Sequence, residues 1–336
     1  MTTVSRDWLL DYGLAMCVIA VVPQLLICAR ALQVFPECRF RIVACRSIVK
    51  VKELATYVWW QAFDGFGYLA RHQCLEVVVN KFYGPAVNAA YTVGSTVGGE
   101  ASALTGALNG AFVPAITTIY GAGDDSGMRK MAYRACKFGT LLTLIFALPM
   151  ALEIREVLNV WLKSPPAHAE VFCLCWLVIV VIEKFSLGHC HAIIASGRVA
   201  KFMCFRGIAC MTAIPFTVIA AMTFNSIICF GIALVLTTLL VCLSDVILAR
   251  KRVALSVRYW MCEIIIPILV AAVVAAIVGM IPVVFILPSV SRLFLTTLCV
   301  EAVLLSLSWI KILDDDERDF VKRAFAKTMA RFRQGR

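Results

Sequence analysis

Charge is what this chain has least of. Only 16% of its 336 residues are Asp, Glu, Lys or Arg, and 61% are hydrophobic. An average soluble domain is about 25% charged and about 45–50% apolar. The deficit excludes a soluble enzyme, because the surface of such a fold needs more ionisable groups than this. Recognisable catalytic motifs are missing too. There is no GxxxxGK[ST], HExxH or GxSxG segment, so ATP hydrolysis and the familiar hydrolase chemistries have no support, and no cofactor is implied. The 15 cysteines include no CxxC pair, and their scattered spacing is not that of a secreted disulfide framework. Most fall inside apolar runs, where cysteine behaves as a small hydrophobe.

What is abundant is long apolar sequence. The mean hydropathy is +0.88, and the apolar runs reach on the order of 20 residues, enough to cross a bilayer core as a helix. The fold expected is all-α, a polytopic transmembrane helix bundle of about nine spans. They fall at 12–34, 54–79, 85–118, 136–159, 170–192, 203–224, 227–249, 260–285 and 290–312, with Pro85, Gly121, Pro165-Pro166, Gly197 and Pro288 between or at the edges of them. The third is too long for one upright crossing, so it tilts or projects beyond the bilayer.

The basic residues give an independent check. Twenty-five of the 32 cluster at alternate span ends: from Arg30 to Lys52, from Arg129 to Lys137, from Arg198 to Arg206, from Arg250 to Arg258, and from Lys311 to Arg336. The opposite ends receive only Arg6, Lys81, Arg155, Lys163 and Arg292. This alternation places the N-terminus outside and the C-terminus in the cytoplasm. The net charge of +11 is therefore a topological label, and no nucleic-acid partner is implied. Residues 1–11 lack the basic start of a signal peptide. An outside N-terminus fits a reverse anchor, or a chain preceded by an odd number of further spans.

Ionisable residues at membrane depth are costly and mark candidate sites. The second span carries Asp64, Arg71, His72, Gln73 and Glu76. Asp64 and Arg71 are seven apart, on nearly one helix face. His72 and Glu76 are four apart and close enough to pair. They predict a cavity in which Arg71 meets an anionic substrate and His72 and Glu76 relay protons or ions; the alternative is a structural ion-pair cluster. In the third span Asn88, Tyr91, Ser95, Gly98, Gly99, Ser102, Gly106 and Asn109 form a small, polar stripe that suits close helix packing. Asn88 and Glu100 are in addition cavity candidates. Glu183 and Lys184 suit a local structural role as well as a pathway. His189-Cys190-His191 lacks the second ligand cluster that zinc needs, so no metal site is expected. After Lys311, the acidic run Asp314–Glu317 opens a basic amphipathic tail, 313–336, expected to lie on anionic lipids.

Several segments carry a family resemblance. They are Phe35-Pro-Glu-Cys-Arg-Phe-Arg41, Asn80-Lys-Phe-Tyr-Gly-Pro-Ala-Val-Asn-Ala-Ala90, Val113-Pro-Ala-Ile with Tyr120-Gly-Ala-Gly-Asp124, Leu148-Pro149 with Trp161-Leu-Lys163, and Ala195-Ser-Gly-Arg198. In this order, over about 300 residues, the chain resembles the Wzx-type polysaccharide flippases of the MOP exporter superfamily. The resemblance implies a MATE-like fold of two rocking lobes around a central cavity, and a lipid-linked, undecaprenyl-type oligosaccharide as cargo, moved across the bacterial inner membrane. Arg71 would belong to the cavity wall. It also implies a division of the chain. Residues 1–52 would be the last helix of a first lobe with its basic linker, 53–250 the second six-helix lobe, and 251–312 two additional helices. Most of the first lobe would then be lacking, and a complementary lobe or polysaccharide assembly proteins become expected partners. A MATE-like drug/cation antiporter and a non-transporting membrane scaffold are the competing expectations.

Overall fold

The computed structural model describes residues 8–35, 48–197, 199–319 and 321–323. Among them the regular structure is helical, with no strand. The chain divides into two compact units, 1–56 and 57–336. In the first, α1 (Trp8–Val34) is apolar along its length, and none of its Leu10–Val34 stretch is buried. A helix that is hydrophobic on every side requires an apolar surrounding, here lipid.

The long α2 (Ile48–Tyr83) begins in the first unit and continues into the second. Then follow α3 (Pro85–Gly121), α4 (Asp125–Leu152), α5 (Ile154–Leu162), α6 (Ala169–Phe185), α7 (Leu187–Ala195), α8 (Ala200–Phe224) and α9 (Ile227–Val253). A short α10 (Val257–Tyr259) passes through a wide turn at Trp260–Ile265 into α11 (Ile266–Phe285), and α12 (Val290–Leu307) ends in a similar turn at Ser308–Ile312.

Six stretches among the described residues are long and apolar enough to cross a membrane: Leu10–Val34, Asp125–Leu152, Ala200–Phe224, Ile227–Val253, Val257–Phe285 and Val290–Ile312. Two bent pairs bring the number to eight. One is α3, bent by 49° between Pro85–Gly106 and Gly110–Gly121, and the other is α6 with α7, bent by 42°. The protein is thus a multi-pass helical membrane protein, with six to eight crossings by length and composition. The α2 helix stands outside this set because Gln61, Asp64, Arg71, His72, Gln73 and Glu76 dilute its apolar character.

The fourth span differs from expectation at both ends. It begins at Asp125 rather than 136, because the Asp124 carboxylate accepts the Gly127 N–H at 2.8 Å and caps the helix. It ends at Leu152, and α5 then starts as a separate helix. Of the expected amphipathic tail, residues 320 and 324–336 lie outside the described residues, as do residues 36–47 of the basic linker.

Packing within the second unit follows side-chain size. Gly94 and Gly98 of α3 let that helix close onto Phe172 and Trp176 of α6. Tyr91 meets Phe172 and Trp176 edge-on, with ring centroids 5.5 and 5.9 Å apart. Around them Leu75, Val79, Phe230 and Leu234 form one buried apolar cluster. A second joins α4 and α6 to α11 and α12 through Leu144, Ile182, Ile268 and Val300. A third gathers Ile116, Met128, Ile193, Phe202 and Met203.

Candidate functional site

The helix break between α6 and α7 organises the most polar part of the interior. At Ser186 the α6 ladder stops, and the backbone groups it frees find unusual partners. The Trp260 indole N–H donates to the Phe185 carbonyl at 2.8 Å, and the Gly188 N–H reaches Cys136 Sγ at 3.2 Å. Non-helical backbone is tolerated at membrane depth only when it is satisfied in this way or lines a cavity. Gly188 is required here for space: a Cβ would collide with the Ala132 carbonyl oxygen of α4.

Beside the break lies a small, partly open cavity of about 120 Å³ lined by Arg71, Glu183, Lys184, Ser186, Arg206 and Asp245, among others. It has room for about four waters and none for an oligosaccharide. Four elements supply the charges. From α2, Arg71 donates to Thr238 Oγ1 of α9 at 2.9 Å and stands 4.0 Å from Glu183. From α6, Lys184 Nζ donates to Ser102 Oγ of α3 at 3.0 Å. From α8, Arg206 donates to Cys190 Sγ at 2.6 Å and lies 3.7 Å from Asp64. From α9, the buried Asp245 accepts from Ser186 Oγ at 3.1 Å. Closeness is made possible where Gly67 of α2 meets the Gly207 backbone of α8.

The cluster is incompletely satisfied. Among the described residues, Asp64 Oδ1, Arg71 Nε, Arg206 Nε and Asp245 Oδ1 are buried without a hydrogen-bond partner. Buried polar groups are ordinarily paired, and ion pairs of 3.7–4.0 Å are too long to be hydrogen bonds.

The sequence candidates separate into two places. Asp64 and Arg71 enter the charged cluster and are joined through α8 and α9 rather than directly. His72 does not hydrogen-bond Glu76 among the described residues; its ring lies between Tyr68, at 4.4 Å, and Trp176, at 5.2 Å. Glu76 and Asn88 are partly buried, and Glu100 is exposed near the middle of α3. With Gln73, Thr92, Thr96 and Gly99, also exposed, they give the α2 and α3 surfaces a polar character unlike the apolar exteriors of α8, α9 and α11. Of the small stripe in α3, Tyr91 and Gly98 pack inward, whereas Gly99 and Gly106 face open space; the Asn109 side chain lies outside the described set. Glu183 and Lys184, adjacent in sequence near the end of α6, both line this cavity.

Two members of the cluster carried no usable signal in the sequence. Asp245 is a single acid in an apolar run, and Arg206 counts with the loop cations although α8 carries it inward. No group of His, Cys, Asp and Glu suited to a metal occurs among the described residues. No family model, curated protein or solved structure matches the chain.

Proposed function

We propose that the chain is a transporter component that moves lipid-linked oligosaccharide or polysaccharide precursors across the bacterial cytoplasmic membrane. On this reading it crosses nine times: the six apolar helices, the two bent pairs, and α2. Its N-terminus lies outside and its C-terminus in the cytoplasm. Residues 53–250 act as one lobe of a MATE-like bundle.

The observation that carries the reading is the polar surface of α2 and α3, above all Glu100, exposed near the middle of a helix in an otherwise apolar bundle. A charge facing lipid at the bilayer centre costs about 3 kcal/mol even on insertion scales. Facing a watery cleft, it costs far less. Such a surface becomes the wall of a pathway when further helices stand opposite it, and transporters place their sites between two such halves, with broken helices nearby. The charged cluster at the α6–α7 break is then an ion- and water-sized compartment behind the wall, with Arg71 tying α2 to α9.

The test is genetic complementation of a flippase-deficient strain, with surface polysaccharide as the readout. The chain is expressed alone and together with a complementary membrane lobe. Restored polysaccharide that drops at least tenfold in Glu100→Gln, at equal protein level, supports the proposal. Absence of export under both conditions, with uptake of fluorescent cations into vesicles, replaces it by a cation antiporter.

A further inference from the structure

A second polar recess, remote in sequence from the α6–α7 break, opens at the N-terminal end of α4. It has a volume of about 400 Å³, within the range of about 300–1,000 Å³ typical of small-molecule pockets. One wall is the first four turns of α4, which present Arg129, Lys130, Arg134 and Lys137; Tyr259 and the acidic turn Asp314–Glu317 complete it.

The four cations are not equally engaged. Lys137 is deeply buried and committed: its ammonium donates to Glu317 at 2.7 Å and lies 3.6 Å from Asp314. Arg134 stands 3.5 Å from Glu317 and 3.7 Å from Asp316, whose carboxylate is 87% exposed. Neither distance is that of a good hydrogen bond, so its guanidinium donors remain unspent. Arg129 and Lys130 make no ion pair among the described residues. Tyr133 is occupied with the Ser256 backbone, which leaves the Tyr259 hydroxyl as a neutral donor beside it. Three cations with free donors thus converge on one concave site, and one loosely held carboxylate, Asp316, leans into it.

We propose that this recess binds a phosphate-bearing headgroup through Arg129, Lys130 and Arg134, with Asp316 as an internal counter-ion that the phosphate displaces. Guanidinium groups match phosphate oxygens in paired geometry, and basic pockets at helix ends are a recurrent way to hold anionic lipid heads. The Lys137–Glu317 bond persists in both states, so the acidic turn stays docked while Asp316 yields. The same chemistry suits a free phosphate ion, and the two sources are separable. This site does not depend on the transport reading.

The test uses the full chain in phosphatidylcholine nanodiscs containing graded phosphatidylglycerol, with retained lipid read by native mass spectrometry. A parallel arm adds inorganic phosphate to nanodiscs of phosphatidylcholine alone and follows amide-exchange protection at the start of α4. Each basic residue near an anionic headgroup is worth about 1 kcal/mol, roughly fivefold. The expected result is preferential phosphatidylglycerol retention that weakens tenfold or more in Arg129→Gln/Lys130→Gln and strengthens in Asp316→Asn. The control Arg250→Gln/Lys251→Gln removes the same charge from the exposed end of α9 and should weaken retention severalfold less than Arg129→Gln/Lys130→Gln does. Protection by inorganic phosphate without lipid preference, lost in Arg129→Gln/Lys130→Gln, assigns the site to a soluble phosphate. An equal loss in the control, or no loss in Arg129→Gln/Lys130→Gln under either arm, overturns the site.

Discussion

At Glu153, where α4 gives way to α5, both carboxylate oxygens are spent. Arg292 of α12 grips them through Nε at 3.0 Å and a terminal nitrogen at 2.6 Å, and Thr296 adds a bond of 2.8 Å. The remaining guanidinium nitrogen reaches the Ile286 carbonyl at 3.3 Å. At Asp245, equally buried, one oxygen takes a single hydroxyl and the other has no partner among the described residues. Both carboxylates sit deep in the same apolar bundle with an arginine nearby, and both are 2% exposed. The first site has no carboxylate oxygen left unpaired, whereas the second borders a cavity. Saturation of every donor and acceptor is how a fold fixes one geometry. Unspent donors around a void are what a site keeps when water or an ion must enter, or when partners must exchange. The difference marks the Glu153 site as a clasp for α12 and leaves the α6–α7 break as the less satisfied of the two interiors.

The largest effect that tests this contrast is Arg292→Ala. Removing one partner of a buried, bidentate pair leaves an uncompensated carboxylate and costs about 3–5 kcal/mol. The thermal midpoint of the detergent-purified protein should fall steeply, and Arg292→Lys should recover only part of it, since one ammonium cannot replace the fork. A small change in Arg292→Ala would remove the structural meaning of saturation.

Next in size is Gly188→Ala. The added methyl meets the Ala132 carbonyl oxygen, and overpacking of this kind costs about 1–3 kcal/mol. The strain falls on the bend itself, so proteolysis or amide exchange at 185–190 should accelerate before the α11–α12 region is affected. Uniform loosening of the bundle would show that the break is not an independent element.

Asp245→Asn sharpens the contrast from the other side. The amide keeps an acceptor for Ser186 and discards a charge that is only half used, so stability should change by less than about 1 kcal/mol. Any export measured with a complementary lobe should nonetheless drop tenfold or more. The matched variant Glu153→Gln should behave in the opposite sense, losing stability first. Identical behaviour of the two variants would erase the distinction between the sites.

Much of the architecture was legible because it depends on hydropathy and breakers, which are local. Pro85, Gly197 and the Asn225–Ser226 turn separate helices where expected, and the sixth and seventh spans match α8 and α9 to within a few residues. The fourth span was misplaced at its start because a cap, Asp124, outweighed the run of charged residues Arg129 to Lys137. Those charges read as loop, yet Lys137 is buried against Glu317. The site was most legible on α2, where Asp64 and Arg71 stand out, and partly on α6, where Glu183 and Lys184 suit a pathway as well as a structural role. Asp245, Glu153 and Arg292 were passed over because their partners lie 59 to 143 positions away. Long-range pairing leaves no trace in spacing. Glu183 and Lys184 are adjacent within α6, yet both line the same cavity.

Asp124 supplies the smallest effect and the reference for the other two carboxylates, since it is satisfied like Glu153 but sits in water. The Gly127 N–H and the Ser126 hydroxyl, each at 2.8 Å, hold its carboxyl below the ordinary carboxylate range. A group whose pKa is lowered by folding contributes stability above its unfolded value, about 3.9, and loses it as pH falls through the lowered folded value. Asp124→Asn keeps an oxygen acceptor and removes only the charge and its interaction with the helix N-terminus. Wild type should therefore exceed the variant in thermal midpoint at pH 6, with the gap narrowing below about pH 4 and closing at lower pH. The gap should also shrink with added salt, because an exposed charge is screened, whereas the loss in Arg292→Ala should not. A gap that ignores both pH and salt would mean that the cap acts by shape alone, and that satisfaction of hydrogen bonds, not burial, is what separates Glu153 from Asp245.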